Sequence, residues 1–187
     1  WVQSMTSTDT DDVAATLDQI QRLVAAGCEI VRVTVNNDAA ADALPAIRAA
    51  CPVPLVADIH FTHRLALRSI EAGVDKVRLN PGNIGSVERV KEVVRAAADA
   101  NVALRIGVNS GSVEADLLDK YGYPCPEALV ASAMRHCMTI EDMGFSNFVV
   151  SLKSTDTKTV LHANRLFAEQ TDVPLHLGVT EAGRPGY

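Results

Sequence analysis

Short apolar runs rich in β-branched residues alternate with helix-length amphipathic segments along the whole chain, and this alternation constrains the fold most strongly. The runs are apolar almost throughout, which is typical of strands buried on both faces of a parallel sheet. Repeated strand-helix-strand units of this kind predict an α/β protein. The predicted strands are Val2–Met5, Ile30–Val35, Pro54–Phe61, Lys76–Asn80, Ala103–Asn109, Asn147–Lys153 and Pro174–Glu181.

Helices are predicted from apolar spacing near 3.6 residues, and a glycine ends three of them, at Gly27, Gly73 and Gly144. The longest connection, residues 110–145, is expected to carry a short extra helix before its main one. The predicted main helices are Asp11–Ala26, Ala39–Ala50, Thr62–Ala72, Ser86–Ala100, Pro126–Met143 and Asp156–Gln170.

A weak internal repeat favours a βα barrel over a doubly wound sheet. Segment Gly27–Arg32 resembles Gly73–Arg78, since in each a glycine ends a helix, a strand follows, and an arginine lies five residues on. No Gly-x-Gly-x-x-Gly follows a strand, so the dinucleotide-binding fingerprint is missing. A complete barrel takes about 250 residues. We therefore predict one domain over 1–187, a TIM-type (β/α)8 barrel with seven of its eight strands.

Charge and cysteine usage exclude several classes of protein. The net charge of −6 argues against a nucleic-acid binder and a polybasic membrane surface. No apolar run approaches the roughly 18 residues that span a bilayer, and no signal peptide is recognisable, so we expect a cytoplasmic protein. The four cysteines lack the C-x2-C spacing of metal sites, which predicts reduced, partly buried thiols and no metal held by this chain.

Charged and amide side chains lie at or near the carboxyl ends of successive predicted strands. Active sites of βα barrels lie at that face, so these groups are expected to converge there. An acidic chain that gathers arginines and a lysine in one cavity suits an anionic ligand, and several cations with two amides favour a phosphate or diphosphate. The candidate residues are Arg32, Asp58, His60, Arg78, Asn80, Arg105, Asn109, Lys153 and Glu181.

Each candidate also has an ordinary structural interpretation. Asp58 can cap the helix that begins near Thr62, His60 can be a hydrogen-bonded structural histidine, and Asn80–Asn83 can be a turn. These interpretations weaken together, because charged groups recur at strand end after strand end against an apolar background. The other histidines fall in helical patterns and are expected at the surface: His63, His136 and His162.

Seven motifs that occur in a fixed order allow a family comparison. They are Val2–Thr10, Val56–Phe61, Val77–Gly85, Leu104–Ser112, Pro126–Leu129, Val150–Lys153 and Pro174–Gly183. Any single motif is weak, but the ordered set is specific. On these residues the chain resembles the 4-hydroxy-3-methylbut-2-enyl diphosphate synthases, oxidoreductases of the non-mevalonate pathway of isoprenoid (terpenoid) biosynthesis.

The resemblance implies a barrel that binds 2-C-methyl-D-erythritol 2,4-cyclodiphosphate. It implies reductive opening of the cyclic diphosphate with loss of a hydroxyl, electrons from ferredoxin or flavodoxin, and a homodimer. In that family a separate C-terminal domain carries a [4Fe–4S] cluster, whose ligands are absent from this chain.

The resemblance also assigns roles to individual residues. Asp58 and His60 match an Asp-x-His pair lining the site, and Glu181 matches the acid proposed to donate a proton near the departing hydroxyl. These three are the catalytic residues that the resemblance implies. The residues that match substrate-binding positions are Arg32, Arg78, Asn80, Arg105, Asn109 and Lys153.

The family's last barrel strand and its cluster domain have no counterpart in this sequence. We therefore expect the chain to supply the substrate-binding part of the enzyme and to be inactive by itself. Two alternatives remain open. One is a pterin-binding barrel of the dihydropteroate synthase type, which shares Asp and Asn at strand ends, and the other is a non-catalytic remnant.

Overall fold

Strands and helices alternate along the chain in a computed structural model, which describes residues 1–180. The strands are β1 Gln3–Met5, β2 Ile30–Thr34, β3 Leu55–Asp58, β4 Lys76–Leu79, β5 Ala103–Asn109 and β6 Phe148–Lys153. The helices are α1 Val13–Ala25, α2 Asp38–Ala50, α3 His63–Glu71, α4 Pro81–Ile84, α5 Val87–Asp99, α6 Ala115–Tyr121, α7 Pro126–Glu141 and α8 Thr157–Ala168, with a 3₁₀ turn at Ser110–Ser112.

The strands of the described residues are hydrogen-bonded in the order in which they follow one another in the sequence, β1-β2-β3-β4-β5-β6. The first four pair in parallel, with Met5 opposite Arg32 and Asp58 opposite Arg78. Strands that follow one another in space as in sequence, each joined by a helix, are what a βα barrel requires. The predicted α/β class is confirmed.

The chain is divided into two compact units. The first unit comprises Trp1–Leu79 and Ile84–Leu104, and the second comprises Asn80–Asn83 and the residues from Arg105 onward. In the first unit every residue of β3 is buried, so its apolar side chains contribute to the core on both faces of the strand. In the second unit α7 and α8 pack on each other and on β6, and their buried residues include Leu129, Ile140 and Phe167.

Local signals explain where the helices begin and end. The Asp12 carboxylate accepts from the Ala15 amide at 3.0 Å to cap α1, and the Asn37 side chain caps α2 by accepting from the Ala40 amide at 2.8 Å. Gly73, the predicted stop after α3, has a φ of 78°, a conformation that glycine adopts at little cost. Within residues 1–180 no helix combines the length and the apolar character needed to cross a membrane.

Two segments of the chain have a structure different from the one expected from the sequence. Within the described residues the predicted seventh strand forms only an isolated parallel bridge between Leu175 and Val150. Two backbone hydrogen bonds flank Val150, and the next one, from the Thr180 amide to the Ser154 carbonyl at 3.3 Å, lies too far along to continue the ladder. The segment that follows Asn80, expected as a turn, forms the short helix α4. The expected short helix in the connection 110–145 is confirmed as α6.

The four cysteines and His136 are more buried than ordinary titratable side chains, and burial shifts the pKa of a thiol. All four cysteines are buried free thiols, as expected, and burial raises the pKa of Cys137 to about 12. The expectation that His136 lies at the surface is wrong. Its side chain is only 15% exposed, and its Nε2 lies 3.2 Å from Oε1 of Glu114, because α7 turns this position towards α6.

Candidate functional site

In the first unit, the carboxylate of Asp58 joins two arginines at the end of β3. The parallel register sets Asp58 beside Arg78, and Arg78 Nη1 donates to Asp58 Oδ1 at 3.1 Å. On the other side, Nε of Arg32 lies 3.5 Å from Asp58 Oδ2. The Asp58 side chain is only 3% exposed, so the ion pairs are screened little by water. Two guanidinium groups and one carboxylate leave one positive charge in excess.

The two arginines are desolvated and incompletely satisfied. The Nε atoms of Arg32 and Arg78 are both buried and make no hydrogen bond within residues 1–180, although Arg32 Nε is ion-paired with Asp58. Burial lowers the pKa of Arg32, the neighbouring Arg78 lowers it further, and Asp58 opposes both effects. A buried cation with an unused donor is stabilised by any anion that approaches it. This pair is therefore suited to binding a phosphate group.

His60 lies on the remaining side of the same carboxylate. Its Nε2 is 3.8 Å from Asp58 Oδ2, and its side chain is 40% exposed. The structure thus brings together four of the candidate residues named from the sequence. They are Arg32, Asp58, His60 and Arg78.

In the second unit, Arg105 extends from β5 and is 2% exposed. Its Nη1 lies 3.1 Å from Nε2 of His176. A guanidinium group only donates, so His176 accepts through Nε2, and this bond favours a neutral ring with its proton on Nδ1. His176 was not among the sequence candidates, although a histidine inside the apolar run Pro174–Thr180 is a signal that could have identified it.

Asn80 and Asn109, also in the second unit, are linked through a serine that the sequence analysis did not single out. Nδ2 of Asn80 donates to Oγ of Ser112 at 2.8 Å, and the same Oγ accepts from the Asn109 amide at 3.2 Å and donates to the Asn109 carbonyl at 3.1 Å. The amide of Gly82 donates to Asn80 Oδ1 at 3.1 Å. Both functional groups of the Asn80 side chain are therefore held in place.

Lys153 lies at the carboxyl end of β6 in the second unit. A Cβ atom placed on Gly178 would lie 3.3 Å from Lys153 Nζ, so the ammonium group lies directly against the backbone there. The remaining candidate, Glu181, lies outside the described residues.

The residues present do not fit an iron–sulfur cluster. Iron–sulfur ligands are thiolates, whereas burial raises the pKa of both Cys51 and Cys137. Within residues 1–180 no group of three or more His, Cys, Asp or Glu side chains is placed to hold a metal ion.

Comparison with known proteins identifies relatives of this chain. The model of the GcpE TIM-barrel domain matches residues 1–186. Two relatives, from Brevibacillus brevis and Alteromonas mediterranea, are each named "4-hydroxy-3-methylbut-2-en-1-yl diphosphate synthase (flavodoxin)". Each is 57% identical over 182 residues, which are 97% of this chain and 51% and 49% of the relative. The chain thus spans about half the length of these relatives.

Solved structures share the fold at low sequence identity. Dihydropteroate synthase from Yersinia pestis superposes with a TM-score of 0.62 at 14% identity, over 93% of this chain and 68% of that one. A Mycobacterium tuberculosis tryptophan synthase chain gives a TM-score of 0.62 at 16% identity, over 95% of this chain and 73% of the other. Such identities show the fold alone and give the pterin-binding alternative no support beyond it.

The family match extends over nearly every residue, including each of the ordered motifs from Val2–Thr10 to Pro174–Gly183. It confirms both the predicted incomplete TIM-type barrel and the predicted resemblance. On this match the chain belongs to the GcpE TIM-barrel domain family.

Proposed function

We propose that this chain is the substrate-binding barrel of a 4-hydroxy-3-methylbut-2-en-1-yl diphosphate synthase and that it binds a cyclic diphosphate. The observation that carries the proposal is the pair formed by Arg32 and Arg78 around Asp58, with one positive charge in excess and two buried Nε donors that make no hydrogen bond among the described residues. Diphosphate oxygens supply both the charge and the acceptors that this pair lacks.

The activity of the whole protein is proposed from the names of its relatives. The substrate is 2-C-methyl-D-erythritol 2,4-cyclodiphosphate, which takes up two electrons and one proton, opens its ring and releases a hydroxyl as water. Flavodoxin is proposed as the electron donor because the relatives' names include it, and a [4Fe–4S] cluster is proposed as a cofactor of the whole protein that the described residues of this chain do not hold. A homodimer and a reducing, cytoplasmic compartment complete the proposal, and the four buried thiols fit such a compartment.

Ring opening adds one negative charge to the diphosphate, because a carbon–oxygen bond breaks and leaves a free phosphate oxygen. Arg32 and Arg78 are proposed to stabilise that charge, and the burial of Arg78 and Asp58 would strengthen the interaction. On the resemblance to the family, Arg105 and Lys153 are also proposed as substrate-binding residues.

The remaining candidates also have proposed roles. Asn80 and Asn109 are proposed as polar contacts to the ligand, held in position by Ser112. His60 is proposed to line the site beside Asp58, and Glu181 to donate the proton near the departing hydroxyl.

Calorimetric titration of this chain with the cyclic diphosphate tests the proposal. Arg78→Ala should weaken binding about tenfold or more, since hydrogen bonds to charged groups contribute about 1.5–3 kcal/mol. The matched control is Arg22→Ala, which removes an exposed arginine that pairs with Asp18 on α1. Unchanged affinity in Arg78→Ala, or equal affinity for a pterin, would contradict the proposal.

A further inference from the structure

A cavity of about 480 Å³ in the first unit has no role in the function proposed above. It lies beyond the carboxyl ends of β1 and β2, between the loop 6–11 and residues 34–37. The loop belongs to the motif Val2–Thr10, to which no site residue was assigned. The volume lies in the range typical of small-molecule sites, about 300–1,000 Å³.

The loop is held in one conformation by α1. The Gln19 side chain accepts from the amides of Ser7 at 2.9 Å and Thr8 at 3.3 Å, and it donates to the Ser7 hydroxyl at 3.0 Å. The hydroxyls of Thr8 and Thr16 lie 2.8 Å apart. Because the loop is already held in place, a ligand that binds in the cavity would lose no binding free energy in ordering it.

One hydroxyl at the cavity is left unsatisfied. Thr6 lines the cavity and is only 5% exposed, and its Oγ1 has no hydrogen-bond partner among the residues that the structure describes. Leaving a buried polar group unpaired destabilises the folded chain. In contrast, the Thr10 hydroxyl donates to the Thr34 carbonyl at 2.7 Å. Thr6 therefore has an unused donor and acceptor at a wall of the cavity.

The lining excludes a phosphate and favours hydroxyl groups. Its polar side chains are hydroxyls, amides and the carboxylates of Asp9 and Asp11, and it contains no lysine or arginine. Carboxylates repel an anion but accept hydrogen bonds from alcohols, and amides and hydroxyls both donate and accept. The ligand chemistry that fits is an uncharged carbon skeleton bearing hydroxyls.

The cavity adjoins the arginine pair through one residue. Met5 lines the cavity, and its Sδ lies 2.8 Å from Nη2 of Arg32. In addition, the Thr6 amide donates to the Arg32 carbonyl at 3.0 Å, which ties the end of β1 to β2. A ligand with a phosphate on Arg32 can therefore extend its carbon skeleton into the cavity.

We propose that this cavity binds the hydroxyl-bearing carbons of the cyclic diphosphate, with Thr6 and Asn36 as hydrogen-bonding partners. The inference rests on the proposed function and extends it. In a 2-C-methylerythritol with phosphates on oxygens 2 and 4, the hydroxyls on carbons 1 and 3 stay free. The arginines recognise the phosphates, and the cavity distinguishes this ligand from other diphosphates.

Titration of Thr6→Val and Asn36→Ala with two ligands tests the inference. Each variant should bind the cyclic diphosphate about fivefold or more weakly, the effect of about 1 kcal/mol of lost hydrogen bonding. Each should bind inorganic pyrophosphate as the unaltered chain does, because pyrophosphate has no carbon skeleton. Thr6→Val should also raise the melting temperature without ligand, since it removes a buried unpaired hydroxyl. Asn36 is exposed, so its variant is expected to fold if Thr6→Val does not.

Ser132→Ala is the matched control, because Ser132 also has a buried hydroxyl without a partner among the described residues but lies on α7. It should raise the melting temperature and leave both affinities unchanged. Unaltered affinity of both cavity variants for the cyclic diphosphate would overturn the inference and leave the proposed function intact. If the unaltered chain binds neither ligand, the proposed function fails, and the inference fails with it.

Discussion

One carboxylate, that of Asp58, sets the electrostatics of the first unit. It lies between Arg32 and Arg78, so it offsets the repulsion between two guanidinium groups that share a buried site. The resemblance to the family placed Asp58 among the catalytic residues. Its contacts support a positioning role, in which it orients two donors towards a ligand. Whether it also takes part in the reaction stays a prediction.

Asp58→Asn should destabilise the chain and make its stability depend on added anions. The change leaves two buried cations without their counterion, and removing one partner of a buried pair costs about 3 kcal/mol or more. Inorganic phosphate should restore more of this stability in the variant than it adds to the unaltered chain. The free energy of unfolding in urea, with and without phosphate, measures both effects.

Asp42→Asn is the control, because Asp42 is an exposed partner of Arg68. It should change stability little and show no added response to phosphate. Equal losses in the two variants, or no gain from phosphate in Asp58→Asn, would argue against the charge-compensation account.

At the scale of elements, α4 lies against the 3₁₀ turn that follows β5. A Cβ atom on Gly82 would lie 2.9 Å from the Ser112 carbonyl oxygen and 3.4 Å from Asn80 Oδ1. The close approach is what allows the Asn80 side chain to hold both Gly82 and Ser112. The close packing therefore leaves no room for a side chain at position 82, so glycine is required there.

Gly82→Ala should force the two short elements apart. Inserting a methyl group into a packed contact costs about 1–3 kcal/mol, so the variant should unfold at a lower urea concentration and bind the cyclic diphosphate more weakly. Gly111→Ala is the matched control in the 3₁₀ turn itself, since a Cβ atom there meets nothing within 4 Å. Equal stability of the two variants would show that the contact at Gly82 is unimportant.

Most elements could be predicted because local patterns determine them. The apolar run Ala103–Asn109 has the same bounds as β5, and Gly73 follows α3 as expected from its position. The segment Pro174–Thr180 also has the pattern of a strand, but a strand needs a continuous partner, and the sequence pattern does not reveal that among the described residues the pairing is limited to an isolated bridge at Val150. The short α4 was missed because proline, glycine and asparagine indicate a turn more often than a helix.

Some contacts within the candidate site could also be predicted from the sequence, and others could not. Residues at neighbouring strand ends, such as Asp58 and Arg78, come together because register in a parallel sheet is regular. The sequence offers a signal for His176 as a residue, but the partners of His176 and Ser112 could not be predicted, since their contacts with Arg105 and Asn80 join segments 71 and 32 residues apart. Such contacts depend on tertiary packing that no local pattern encodes.

At the scale of the whole molecule, stability against acid depends on a buried histidine. Burial lowers the pKa of His136, Glu114 opposes this, and Arg135 adds to it. The folded state therefore keeps the ring neutral at a pH where the unfolded chain, with an ordinary pKa of about 6.5, takes up a proton. Below that pH the unfolded state binds more protons, so the free energy of unfolding decreases as the pH falls.

His136→Gln should flatten this pH dependence. We expect the free energy of unfolding of the unaltered chain to decrease as the pH falls below about 6.5, the ordinary pKa of histidine, and to do so less steeply in the variant. His162→Gln, at an exposed position on α8, should keep the original slope. Parallel slopes for all three proteins, measured by urea unfolding at several pH values, would exclude this role for His136.

The amide of Gln19 has a consequence for how the sequence can vary. This one side chain on α1 holds the amides of Ser7 and Thr8 and the Ser7 hydroxyl, although it lies on a helix and is only half-buried. Glutamate keeps the acceptor but loses the donor, and shorter residues do not reach the loop. Position 19 therefore tolerates few replacements, and an inherited change there would alter ligand recognition without touching any ligand-binding residue.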